Sequence, residues 1–579
     1  MGTDTKIKFN HSAFENQLQK NIAYDITKDE AFNKAANKTS PLNIRKKTRS
    51  TLAPYTGVWN DSTAIHLLNR AMFGAKPSDV TTAISLTPST TVDALLNNTP
   101  SAYPIGLNWY ENTYADTTGV AFGNSWINAD YGDGTIDYYR RIGLQAMWMK
   151  NIMTQNFSLQ EKMVLFLYNL VPVQFQLVGD ARFLYQYIQL LHQYALGNYK
   201  DFIRDMTKDG AMLYFLNGYI NNKYSPDENY GRELQELFTV GKEGGQQYAE
   251  ADVQAAAKVL TGWRVDSANI STFFDPTFHD TTNKTFSAFY NNTTITGQSG
   301  SNAGDIELDA LLAMIMGGQS GITAANYICK KLYRFFVYYD IDSNIETNII
   351  APLATTLINN NWELKPVLEQ LLKSEHFFDI QSQGCYIKTP IDKICGLTRV
   401  LSVPVDPLTT FEDEYWLYVR QWYYADAMGM GVGEAPNVSG FKPYYQNPQW
   451  QELFINSNTH PKRLQWTDQL LTAYGHYVNG STSYKANLPL FASTLSNPAD
   501  PDVLVADVVK HCFGLPVSQI KRDYFKAILL SNQTNNSYWT NAWNDYIASP
   551  TDPTALAVVT NRLRLMLTEM FRMAEHQLC

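Results

Sequence analysis

Residues 225–245 read SPDENYGRELQELFTVGKEGG, and the assignment of this stretch decides both the fold class and where chemistry would sit. Ser225 suits a helix N-cap, and Pro226 suits the first helical position, where a missing N–H costs nothing. Glu228 follows Ser225 by three residues, the spacing of a capping box. Gly241 stands where a left-handed stop belongs. Between them Tyr230, Leu234, Leu237 and Phe238 recur at helical spacing and predict one buried face. Arg232 and Glu236 lie four apart, roughly opposite that face, and are expected to pair in water. Capping and pairing account for Glu228 and Glu236. Glu233, at the edge of the apolar stripe, and Arg232 are left as candidates for chemistry.

Helical periodicity extends outward from this stretch. DSTAIHLLNRAMFG starts at an Asp61 or Ser62 cap and stops at Gly74, and KPSDVTTAISL reads as a second, short helix. Long helices are predicted near 135–156, 158–170 and 181–206. In EADVQAAAKVLTGW, Val253, Ala256, Ala257 and Leu260 share one face. Further helices are predicted near 305–316, 321–338, 343–359, 364–374, 388–402 and 410–427. Three segments break the pattern. Residues 100–134 and 428–460 are rich in Gly, Asn, Pro and aromatics and read as loops. Residues 266–302 alternate Thr, Phe and Tyr and read as a small β or irregular insertion. The expectation is a mainly α fold: one large multi-helix domain over 53–579 with long loops, preceded by a polar arm over 1–52.

Composition narrows the function. The 579 residues are 45% hydrophobic and 17% charged, a globular balance with length for a large core. The net charge is −9, which leaves no electrostatic footprint for nucleic acid. No apolar run reaches the roughly 18 residues of a transmembrane helix. The N-terminus has no apolar core of a secretory signal, so the chain is expected to be cytoplasmic or exported by a non-classical or removed leader. The five cysteines, Cys329, Cys385, Cys395, Cys512 and Cys579, are scattered without a CxxC pair and read as free thiols, with Cys385 and Cys395 the one conceivable pair. The arm holds the basic run Asn43–Arg49; such a polar segment, when ordered, needs a surface to lie on, its own domain or a neighbouring chain.

Few motifs point to chemistry. GxSxG, HExxH, a phosphate-binding P-loop and GxGxxG are absent. DYGDGTID, Asp130 to Asp137, resembles a calcium loop, but its spacing misses the EF-hand pattern. DPTFHDTTNKTF places Asp275, His279, Asp280 and Lys284 within ten residues on a loop. A histidine beside carboxylates suits a general base or a metal ligand; an Asp/Thr-rich turn is the plainer reading. His66 and His192, each within an apolar helix, read as satisfied core residues.

Several blocks occur in a fixed order: AIHLLNRAMFGAKPSDV, EKMVLFLYNL, YALGNYKDFIRDMTKDGAMLYFLN, PDENYGRELQELFTVG, YAEADVQAAAKVLTGW, FHDTTNKTF, KKLYRFFV, LLKSEHFFD and APNVSGF. Together they resemble the bacterial domain-of-unknown-function family numbered 1800, from about residue 60 to about 470 and on toward the end. The resemblance implies a mainly helical fold, a source among groups such as Bacteroidetes and a gene neighbour in the sulfatase-like family numbered 1501, a possible partner; it implies no reaction. Family members often carry a Trp-His-Asn-His-Phe block after the segment matching EKMVLF. Here the block reads Phe166-Leu-Tyr-Asn-Leu-Val171, with Tyr168 and Leu170 in place of the two histidines. Leucine cannot ligate a metal or carry a proton. This divergent member is therefore expected to serve as a structural or interaction subunit of a larger bacterial assembly, extracellular or at a surface, as a homo-oligomer or with other subunits joined through the arm. Two alternatives stand beside it. One is a metal-assisted hydrolase of a polysaccharide or sulfated ester, with Glu233, His279 and Asp280 as base and ligands and Arg232 or Lys284 holding an anion. The other is a carbohydrate-binding protein using Tyr and Trp of the loop segments. No cofactor or metal is specified by the sequence.

Overall fold

The helices predicted from start and stop signals form, with several of their caps displaced. The computed structural model describes residues 51–98, 103–242, 248–404, 410–441, 452–479 and 482–579. The polar arm through residue 50 and part of the 428–460 loop lie outside them. The first helix is Asp61–Ala71, and its cap is Asn60, not Asp61 or Ser62. Asn60 accepts from the Thr63 N–H, and Thr63 Oγ1 accepts from the Asn60 N–H, a reciprocal box, while Asp61 in the first turn pairs with Lys510 at 2.8 Å. Pro77–Ile84 follows as predicted, and a further helix, Pro88–Asn97, is capped by Thr87.

The long helix expected over 181–206 is two helices, Ala181–Tyr194 and Tyr199–Lys208. Asn198 interrupts it, because its side chain accepts from the Lys200 and Asp201 N–H groups and starts a new helix. The helix predicted over 343–359 opens into a wide π turn at Glu346–Ile350 before continuing as Ala351–Asn359. Pro352 sits at that point, and its missing N–H and its ring widen the turn preceding it.

Three antiparallel hairpins complete the fold. Strand β1 (Trp263–Asp266) pairs with β2 (Ser271–Phe274), β3 (Lys284–Thr285) with β4 (Thr294–Ile295), and β5 (His476–Asn479) with β6 (Thr482–Tyr484). The first two are the predicted insertion; the third was not foreseen. No single helix among the described residues is long and apolar enough to cross a membrane. All five cysteines are free thiols, so Cys385 and Cys395 are not bridged.

One core runs from Ala64 to Cys579. Gly134–Thr154 packs along Phe411–Ala427, and the 103–133 loop is drawn onto that pair by Trp109, whose ring stacks on Tyr415 at 5.1 Å. The last residues close back on the middle of the chain: Cys579 N–H donates to Tyr386 O and Lys388 N–H to Gln577 O, both at 2.8 Å. From the first helix, Arg70 lies over the Tyr386 ring at 4.1 Å and donates to Phe336 O at 2.9 Å. The two ends of the described chain thus share one body.

Gly74 makes that junction close. Its φ is +79°, and an added Cβ would stand 2.6 Å from Gly396 O on the Pro390–Val400 helix. Gly74→Ala is expected to lower unfolding stability by about 2 kcal/mol, from left-handed strain and a backbone clash, in denaturant titration.

Candidate functional site

The opening stretch is helical but does not keep one pitch. Its α-helical part is only Asn229–Glu233, and a π turn, Leu234–Thr239, follows. Ser225 caps nothing; Glu228 occupies the cap position, without a side-chain cap bond. The wide turn forms because the Val240 and Gly241 N–H groups both reach back to Gln235 O at 3.0 Å, while Thr239 Oγ1 donates to Leu234 O at 2.5 Å. Gly241, at φ +78°, ends it as predicted. Leu234 and Phe238 are buried and Leu237 only partly so.

The charges distribute in two directions. Arg232 does not pair with Glu236. Helical side chains lean toward the N-terminus, so its guanidinium reaches Glu228 at 3.1 Å and, across the next helix, Glu250 at 3.0 Å. Glu236 pairs with Lys242 instead. These are half-exposed ion pairs of small individual worth. Glu233 is half-buried, and no described residue pairs with its carboxylate. Burial, followed by the neighbouring Glu236 charge, pushes its carboxyl up to about 7, against the pull of Arg232 and Lys242.

The second candidate group lies at the far end of the Glu250–Val259 helix. Arg232 is attached at Glu250 and His279 at Thr261, a rise of about 16 Å along the helical path. Among the described residues no hydrogen bond or ion pair joins Glu233 to His279. His279 and Lys284 are brought together, by a residue the sequence reading overlooked. Glu307 accepts from Lys284 Nζ at 2.6 Å, and its other oxygen lies 3.0 Å from His279 Nε2. Gln298 N–H donates to that second oxygen at 2.7 Å. His279 Nδ1 lies 2.9 Å from Thr261 O and 3.1 Å from Thr261 Oγ1, so both ring nitrogens have partners. All three side chains are completely buried.

Asp280 meets this trio only through its backbone, where its carbonyl accepts from Lys284 Nζ. Its backbone N–H donates to Thr261 Oγ1, and its carboxylate turns outward to Thr282. Burial works to raise that carboxyl; the Thr282 hydroxyl and N–H outweigh it and leave it below the ordinary range. Asp275 caps the turn at Thr277. Asp133 caps the Gly134–Thr154 helix, and Asp137 pairs with Arg141 and accepts from Ala181 N–H, so the loosely calcium-like stretch is helix-start chemistry. Among the described residues no three His, Cys, Asp or Glu side chains are grouped to hold a metal ion.

Glu307 had a readable signal. It lies on the buried face of Ala303–Ile315, between Ala303 and Leu311 at helical spacing, where a carboxylate requires partners. Gln235 and Asp252 were also missed. Gln235 Oε1 accepts from Tyr290 OH at 2.8 Å, and Asp252 holds the Ser287 N–H at 2.6 Å, so both fasten the β3–β4 hairpin to the two helices. At the divergent block, Tyr168 is fully buried, accepts from Ala435 N–H at 3.0 Å and donates to Val173 O at 3.2 Å. Asn169 accepts from Phe441 N–H at 2.9 Å. The block secures the loop carrying APNVSGF.

Two outcomes test these assignments. Glu307→Gln leaves the Lys284 ammonium buried without a counter-charge and is expected to cost about 3 kcal/mol in denaturant unfolding; an unchanged midpoint contradicts the clamp. For Glu233, the folded carboxyl holds its proton more tightly than the unfolded one, whose ordinary value is 4.5. Its stabilising contribution is present at low pH and lost as pH rises from about 4.5 to about 7. Glu233→Gln should therefore gain about 1 kcal/mol on the parent between about pH 4 and about pH 8, the figure being discounted for partial exposure.

No curated protein and no solved structure matches the chain. A family model described as a protein of unknown function (DUF1800) matches residues 66–573. That span holds the acid-rich helix, the Glu307 cluster and the Tyr168 block alike, and the chain belongs to this family.

Proposed function

We propose that this chain is a structural or interaction subunit of a larger bacterial assembly, extracellular or surface-associated, without catalysis of its own. The observation that supports this reading is the commitment of its reactive side chains to internal contacts. His279 and Lys284 are sealed against Glu307, and Arg232 is engaged by Glu228 and Glu250. The block that aligns with the family's paired histidines holds Tyr168 and Asn169, both bonded to the 435–441 loop backbone.

Charge distribution supports a self-complementary arrangement. Residues 1–52 carry 10 Lys and Arg against 5 Asp and Glu, while the remaining residues carry 36 against 50. A cationic arm and an anionic body attract, and an arm laid on a neighbouring copy is a head-to-tail contact that propagates into rings or filaments.

A second reading, carbohydrate binding, is favoured by one surface depression. It has a volume of about 480 Å³ and is lined by Tyr131, Tyr214, Asp130, Asp180 and Arg182, an aromatic and carboxylate wall of the kind that stacks and hydrogen-bonds a sugar ring.

Light scattering and negative-stain microscopy on the full chain and on the chain lacking residues 1–52 test the first reading. The expected outcome is a regular assembly of the full chain that weakens with salt and dissolves without the arm. Monomers in both preparations overturn it, and glycan affinity lost in Tyr131→Ala then favours the second.

A further inference from the structure

The helix Pro390–Val400 carries a lysine where a core residue belongs. Lys393 is 0% exposed, and its ammonium has no hydrogen-bond partner among the described residues. It lines a narrow cavity of about 20 Å³ together with Lys388, Asp392, His511, Cys512 and His576. That volume suits roughly one water-sized particle.

The other polar groups on the wall do not answer Lys393. Lys388 Nζ donates to His576 O at 3.0 Å. Asp392, the one acidic side chain on the wall, is held by Lys162 Nζ at 2.5 Å and Thr389 Oγ1 at 2.8 Å. His576 uses Nδ1 on Cys512 O at 3.1 Å, which leaves Nε2 unpartnered, and His511 Nδ1 is unpartnered as well. Behind the wall Arg463, also 0% exposed, gives Nε to Gln577 and Nη2 to Lys388 O, while Nη1 finds nothing.

This concentration of positive charge has a physical consequence. Burial, then Arg463 and Lys388, drives the Lys393 ammonium well below the usual lysine range. Burial, then Lys393 and Lys388, does the same to His576. Asp468, near Lys393, pairs through Oδ2 with Arg572 at 2.7 Å, and its Oδ1 is buried without a partner among the described residues. A buried donor without an acceptor is costly, and a cationic one more so. A small acceptor bearing negative charge relieves both. Phosphate, sulfate and organic anions exceed the space.

We propose that this cavity is a binding site for a monatomic anion of halide size, held by the Lys393 ammonium and flanked by Lys388, His511 and His576. The site lies between the Pro390–Val400 helix, the end of Pro501–Cys512 and the final turn at Ala574–Gln577, so the anion joins the middle and the last part of the chain.

The test uses the full chain exchanged into gluconate, with chloride or bromide added at constant ionic strength. A saturable rise in Tm of about 3 °C is expected, and Lys393→Met is expected to remove the halide dependence. No rise, or an equal rise in Lys393→Met, overturns the proposal. Should that variant fail to fold, bromide-soaked crystals of the parent decide: an anomalous peak in contact with Lys393 Nζ supports the site, and a cavity holding only water overturns it.

Discussion

Burial of the Glu307 carboxylate is the constraint on which the middle of this molecule depends. A carboxylate removed from water needs opposite charge and donors close at hand, or it forces the fold apart. Here the donors come from three places in sequence: Lys284 in β3, His279 before it and the Gln298 backbone after β4. Their convergence fixes both ends of the β3–β4 segment against Ala303–Ile315. Through Thr261, His279 also fixes the end of Glu250–Val259. Gly231 then sets the other helix closely against the same rod: an added Cβ would lie 3.1 Å from Ala257 N. The acid-rich helix, the loop and the hairpin are positioned by one another, and the charges belong to that positioning.

How far the sequence discloses this follows from the range of each interaction. Short-range signals were legible: the Gly241 stop, the apolar stripe of 250–260 and the Thr/Phe alternation around β1–β4 all act within a few residues. Caps were displaced where two polar residues compete; Asn60 prevails over Asp61 because Thr63 completes the reciprocal bond. The π turn was illegible, since a 234–239 helix of ordinary pitch satisfies the same pattern. The candidate site was half visible. His279 and Lys284 were found from their loop, but Glu307, more than twenty residues further on, was hidden within an apparently ordinary amphipathic helix. The pairing of Arg232 with Glu250 depends on how two helices cross, which periodicity does not encode.

Sequence patterns that suggest reactivity and patterns that hold a fold overlap here for a physical reason. Histidine, lysine and carboxylate in close array are what general acid–base chemistry needs, and equally what a fully satisfied buried network needs. Exposure separates the two. Arg140 with Asp116, Arg399 with Asp79 and Lys162 with Asp392 repeat the device across the molecule, each largely buried cation answering one carboxylate. Glu233 departs from it, half-exposed and unpaired among the described residues, beside a π turn of the kind that recurs at functional sites.

The return of the last residues onto Tyr386 and the first helix has a consequence for synthesis. Arg70 Nη1 meets Cys579 Sγ, and 509 positions separate them. A ribosome adding about 5 to 20 residues per second needs roughly 25 to 100 s to make that interval. Phe336 and Tyr386, other partners of Arg70, are made about midway, and the Arg70 guanidinium waits through the rest of that time for its last contact. A helix made early in the described chain is thus completed only by residues made late, and a nascent chain of this design carries an unfinished contact through much of its translation.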